Sequence, residues 1–457
     1  MSLRLDWEIE SEQQPVRQAS GEDPESRRRR RRRRLIILLL PLLLLVMVGV
    51  VVGLIALRLR QIDAQVAHVL QDTVDAEVAT LRIGDEQAYL NFQRSADNAW
   101  LTAQQDAFSN YQALKIDGDI QLTGQIVDTV VDGTRARVQV QEIIDGAPYV
   151  RTWFYWRYDD GWRHVPPDYT FWGDVQTLDG NGLTIRYQEV DAALATALRD
   201  AITGWVQTAC GSINCGNLPT IRVDILPDPG LENGWAAEDI WQLKVRSPYV
   251  ELARMDTPLD FSLRFELANI MAERLALVAS NSLQPTYPAD AFYLRASAVS
   301  WLVGKFASVN TNTFLMSSLA QNYGDQAVGT LLSAMQPDSS IALLNNVTGA
   351  ASLAQANVDW RDFLTWRLAL EDELIQRGDE SNFLALYATN DEAVRTQAYA
   401  RYNAGPTGES KVVVAVTPET APDGTPQLRA QIEAGNPPEQ RDEVLFRLVN
   451  ENWLRAN

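Results

Sequence analysis

The chain has 457 residues, 46% of them apolar and 22% charged, a composition of globular protein that leaves room for several domains. Its net charge of −19 is divided: residues 1–34 sum to +3 and the remainder to −22. So acidic a body repels nucleic-acid phosphates and carries no basic stripe, which excludes a nucleic-acid partner.

Residues 1–34 are polar and read as a disordered cytoplasmic arm ending in the run Arg27 to Arg34. Next comes LIILLLPLLLLVMVGVVVGLIAL, residues 35–57, which holds no charge. At about 1.5 Å rise per residue it is long enough to cross a roughly 30 Å hydrocarbon core. The arginines then mark the cytoplasmic side, so a single-pass signal-anchor is expected, with the lipid bilayer as partner and everything after Leu57 extracytoplasmic. A cleaved signal peptide is the alternative; the span is longer than an apolar h-region and no small-x-small cleavage site follows it.

Residues 58–178 open with Ile62, Val66, Leu70, Val74, Val78 and Leu81 at three- and four-residue spacing, a long amphipathic helix. RIGDEQAYLNFQRSADNAWLTAQQDAF (82–108) follows, then strand-like runs broken by Asp-Gly turns. Along Trp153, Phe154, Tyr155, Trp156 and Tyr158, one alternating set is expected in the core and the other against a neighbour or solvent.

Residues 179–358 are rich in helical patterns. Cys210 and Cys215, the only cysteines, would lie on the oxidising side, where their spacing permits a small disulfide; no second ligand pair is present for structural zinc. LRFELANIMAERL (263–275) places Glu266 on an apolar helix, and Glu273 on the same face two turns on. The plain reading of Glu266 is a solvated or salt-bridged residue near Arg264 or Arg274.

Residues 359–457 repeat the second segment. QRGDESNFLALYATNDEAVRTQAYARY (376–402) superposes on 82–108 at an offset of 294: Gly84-Asp85-Glu86 on Gly378-Asp379-Glu380, Tyr89 on Phe383, Asp97 on Asp391 and Phe108 on Tyr402. Alternating strand segments follow each copy, and each closes on a strand carrying Trp162 or Trp453.

Helices leading into a meander of strands, with the late D-G-W turn of YWRYDDGWRHVPP, resemble the nuclear transport factor 2-like (SnoaL-like) family. That resemblance implies a cone-shaped α+β domain at each end and no particular activity. The middle block resembles the gluzincin, or peptidase MA-like, domains of bacterial membrane proteins. It does so through the strand running into SPY (247–249), the helix at 261–278, SWLVGKFA (300–307), YGDQAVGTLL (323–332) and the close at 348–364. The expected fold is therefore α+β and multidomain: a transmembrane helix, then two cones flanking a helix-rich gluzincin-like domain.

The family's two histidine ligands fall on Phe265 and Asn269, and its glutamate ligand on Gly304; only the general-base position, Glu266, keeps its residue. The whole chain has two histidines, His68 and His164, and neither belongs to an i, i+4 pair on a helix. The resemblance thus implies an inactive peptidase, with no metal and no cofactor. His164 is expected at a surface or strand edge beside Pro166-Pro167. The expected role is non-enzymatic: binding or scaffolding of an envelope protein or peptide, with homo-oligomerisation open. A small-molecule pocket in the first cone, using Tyr, Trp and Asp side chains, is the alternative.

Overall fold

A computed structural model describes residues 24–118, 120–435 and 440–457. The expected arm over residues 1–23 lies outside them. The chain divides into two compact units, Met1–Ala76 and Glu77–Asn457.

In the first unit, helix α1 (Pro24–Ile83) begins within the arm that sequence reading leaves disordered. The arginine run is helical there because arginine is a good helix former and is contiguous with an apolar segment. From Leu43 to Leu59 every residue is exposed. Among the described residues this is the one helix long and apolar enough to cross a membrane, by length and composition. Further along, His68 and Asp72 pair one turn apart at 3.0 Å on the exposed surface.

The second unit starts inside α1 and is mixed α+β, with three sheets. Helices α2 (Glu86–Leu90) and α3 (Asn98–Asp117) lead into four antiparallel strands: β1 (Ile120–Asp132), β2 (Arg135–Ile144), β3 (Ala147–Tyr158) and β4 (Gly161–His164). A mixed sheet follows. Strands β5 (Val175–Gly180) and β6 (Leu183–Gln188) form a hairpin, α4 (Ala192–Ser212) crosses over to a parallel β7 (Ile221–Leu226), and β9 (Gln242–Arg246) continues in parallel. The short β8 (Gly234–Trp235) closes that edge antiparallel. Strand β10 (Ala253–Arg254) leaves this sheet and pairs with β3, Ala253 opposite Val150.

Six helices come next: α5 (Phe261–Ala279), α6 (Asp290–Ala307), α7 (Phe314–Tyr323), α8 (Gln326–Ala334), α9 (Leu343–Thr348) and α10 (Arg361–Arg377). Then α11 (Glu380–Ala385) and α12 (Glu392–Asn403) lead into a second meander, β11 (Lys411–Thr420), β12 (Pro426–Ala434), β13 (Gln440–Val449) and β14 (Asn452–Arg455). One buried cluster runs from α4 (Leu198, Trp205) through α5 (Leu267, Met271) and α6 (Leu294, Trp301) to Phe363 and on to Phe446 and Trp453 in the last sheet. The middle helices and the final meander thus share a core.

The two end segments repeat each other down to single hydrogen bonds. Asp85 caps α2 by accepting from Ala88 N, and Asp379 caps α11 by accepting from Asn382 N, 294 residues on. Asp97 accepts from Ala99 N, and Asp391 from Ala393 N. The last strand then clips to the segment after the short helix: His164 N donates to Phe92 O and Arg94 N to His164 O, each 2.8 Å. In the second copy Arg455 N donates to Leu386 O and Ala388 N to Arg455 O, each 2.9 Å. Aspartate suits these caps because its carboxylate satisfies N–H groups that a helix start leaves without partners.

Candidate functional site

Two places bring the singled-out residues together. On α5, Phe265 and Asn269 stand one turn apart on an exposed face and line an open groove of about 510 Å³. Phe261 stacks on Phe265 with ring centroids 6.1 Å apart; the two rings are 63% and 41% exposed. Across the groove stand Ser300 and Val303 of α6 and the loop residues Val309 to Asn312. Gly304 sits beneath that loop: a Cβ there would lie 3.0 Å from both Thr311 Oγ1 and Val309 O. The loop therefore rests where a longer side chain would project.

Phe265, Asn269 and Gly304 thus offer the groove a phenyl ring, an amide and a hydrogen, none of which fits zinc. Among the described residues, no group of three or more His, Cys, Asp or Glu is placed to hold a metal ion. Glu266 faces away from the groove and accepts from Asn233 Nδ2 at 2.9 Å, in a separate polar cleft with Arg246 and Asp260. Its expected arginine neighbours are engaged otherwise or not at all with it: Arg274 lies over the Trp235 ring, 5.0 Å from its centre. Glu273 pairs with Arg295 at 2.8 Å. Cys210 and Cys215 are bridged at the end of α4.

The second place corrects the expectation for His164. It is 4% exposed, not at a surface, and its Nδ1 lies 2.8 Å from Glu77 Oε1. The reason is strand alternation: on β4 Trp162 and His164 share the inward face. Glu77, fully buried on α1, also accepts from Gln93 Nε2 and from the Tyr155 hydroxyl, each at 2.8 Å. Three donors around one carboxylate satisfy a charge that would otherwise be costly to bury. Burial, then the neighbouring Glu77, raises the Tyr155 hydroxyl far above its ordinary value, so it remains a donor. Rings of Trp153, Tyr155 and Trp100 surround the imidazole at 5.2, 5.2 and 5.5 Å.

His164 lines a cavity of about 370 Å³ with Tyr89, Trp100, Gln104, Thr152 and Trp153. At its wall Arg151 donates twice to Glu142, at 3.0 and 3.1 Å. The aromatic run of β3 splits as alternation requires, but both sets are used. Trp153 and Tyr155 pack at the imidazole, while Phe154 meets Trp172 edge-on at 4.7 Å.

Comparison of the chain with family models, with curated proteins and with solved structures finds no match in any of the three.

Proposed function

We propose that this is a membrane-anchored, extracytoplasmic binding protein of the cell envelope: a peptidase-like middle domain without zinc ligands, flanked by two nuclear transport factor 2-like domains. The arginine run preceding the apolar helix supports an N-terminus in the cytoplasm. The mixed sheet with its antiparallel edge strand, followed by a helical block, supports the gluzincin-like reading of the middle. The repeated helix-and-meander units support the cone reading of the ends.

One observation carries the function. The groove on α5 exposes two stacked phenyl rings beside Asn269, Asn310, Thr311 and Asn312. Exposed aromatics rimmed by amides and hydroxyls suit an extended polypeptide: an apolar side chain lies on the rings and the backbone bonds to the amides. The occupant is therefore an extended segment of a partner protein, held and not cut.

The test is a library of unstructured peptides titrated against the full-length chain in detergent, beside Phe261→Ser/Phe265→Ser. Saturable capture by the wild type and loss of about tenfold or more in the double variant are expected. Metal-dependent cleavage of any peptide, or capture indifferent to the double substitution, overturns the reading.

A further inference from the structure

We propose that the first α+β unit holds a second binding site, independent of the groove: a cavity that takes a flat aromatic ligand carrying a hydroxyl at one end and a carbonyl at the other, the hydroxyl donating to His164 Nε2. The argument starts from the internal repeat. Glu77 and Glu371 are the same residue of the two copies, 294 apart, and each is buried. In the second copy the residue clipped beside the carboxylate is Arg455, whose Nη1 donates to Glu371 at 2.7 Å and whose Nε donates to Asn457 O at 2.7 Å. Arginine has no acceptor, and this pairing needs nothing further. In the first copy that place belongs to His164.

Histidine changes what the place can do. A carboxylate only accepts, so Nδ1 carries the hydrogen shared with Glu77, and in the neutral ring Nε2 is a bare acceptor. Nε2 has no protein partner among the described residues, and His164 lines the cavity. One donor beside it is also without a partner among the described residues: the buried Nε1 of Trp100, another residue lining the cavity. Buried polar atoms in a well-packed core are normally bonded, so an unbonded indole N–H beside an imidazole nitrogen with no partner among the described residues marks a place where a ligand supplies the partners.

The second copy again provides the control. Trp100 and Gln104 correspond to Val394 and Ala398, which simply pack in its core. The copies differ where the cavity is, and agree at the caps and the strand clip. The walls set the ligand's shape: Tyr89, Trp100, Tyr111 and Trp153 present ring surfaces, against which a flat bicyclic molecule stacks. The Trp100 N–H asks for an acceptor, and His164 asks for a donor.

The experiment uses the full-length chain in detergent with 7-hydroxycoumarin as the probe and 7-methoxycoumarin as its partner lacking the hydroxyl hydrogen. Binding is read by tryptophan quenching. Saturable binding of the hydroxy probe, about tenfold tighter than the methoxy compound, is expected. His164→Arg reproduces the arginine-to-glutamate pairing of the second copy and is expected to fold and to lose that preference. Trp100→Phe keeps the wall but loses the donor and weakens both probes several-fold. Phe261→Ser/Phe265→Ser leaves all of this unchanged, which separates the site from the groove. Absence of saturable binding, equal affinity for the two probes, or a preference surviving in a folded His164→Arg chain overturns the proposal. Should His164→Arg fail to fold, the wild-type preference and Trp100→Phe decide alone.

Discussion

Glu77 and Glu371 are each other's counterparts 294 residues apart, both buried, yet one is bonded to an imidazole and the other to a guanidinium. The difference predicts unequal costs on substitution. Glu371→Ala strands the largely buried Arg455 charge and should cost about 3–5 kcal/mol. Glu77→Gln keeps the shape and one acceptor oxygen while turning an amide toward a donor, which should cost about 1–3 kcal/mol. Urea unfolding of the two variants beside the wild type measures both. Equal losses would mean that the two networks are equivalent.

Asp191, fully buried, accepts from Ser247 Oγ at 2.6 Å, and its Oδ2 has no partner among the described residues. Burial raises its pKa from the ordinary 3.8 to about 6. The folded chain then holds a proton that the unfolded chain has released, so stability falls as pH rises from about 4 to about 6 and is level above that. The size is about 3 kcal/mol at most. Asp191→Asn should remove this component, visible as the difference between the pH–stability curves of variant and wild type. Asp362, bonded to Leu315 N at 3.0 Å, is likewise raised to about 6 by burial and should add a component of the same sign.

The repeat was readable because its signals are local. Gly84-Asp85-Glu86 and Gly378-Asp379-Glu380 are cap sequences whose geometry depends on three or four neighbouring residues, and both fold as their identity implies. The Glu77 network was not readable in the same way, since its partners lie 16, 78 and 87 residues away. One local signal does point to it: Trp162 turned inward on a strand requires His164 to do the same. Strand β10 offers two residues and no pattern at all, so its pairing with β3 follows only from tertiary packing. At the groove, the grouping of Phe265, Asn269 and Gly304 is what the family resemblance implies and no spacing in the sequence states it, and the orientation of Glu266 toward Asn233 is in neither. A single carboxylate's direction is set by whichever donor packs beside it.

Where α8 crosses the end of α4, Gly329 lets the backbones meet. A Cβ there would fall 2.7 Å from Ser212 O and 2.8 Å from Ile213 Cα. Gly329→Ala should therefore cost about 1–3 kcal/mol despite alanine's better helix propensity. The Cys210–Cys215 bridge spans this same segment. Cys210→Ser/Cys215→Ser should cost about 2 kcal/mol through loop entropy. It should also reduce the cost of Gly329→Ala, because the freed turn can yield. A double-mutant cycle on unfolding free energies reads the coupling, and strict additivity would show that the bridge does not hold the turn.

Gly304 decides whether the groove on α5 can be made into a metal site. Val309 N donates to Gly304 O at 3.0 Å, so the loop is tied to the helix at the point where a ligand side chain would emerge. Gly304→Ala alone forces contacts at 3.0 Å with a carbonyl oxygen and with Thr311, and should cost about 1 kcal/mol. The triple variant Phe265→His/Asn269→His/Gly304→Glu supplies two imidazoles and a carboxylate in name. The carboxylate, however, reaches the imidazoles only if the loop at 309–311 is displaced. Calorimetric titration with zinc should then show weak binding from the histidine pair and no further gain from Gly304→Glu. A large gain on adding the glutamate would mean that the loop yields, and that what separates this groove from a zinc site is three side chains and nothing in the backbone.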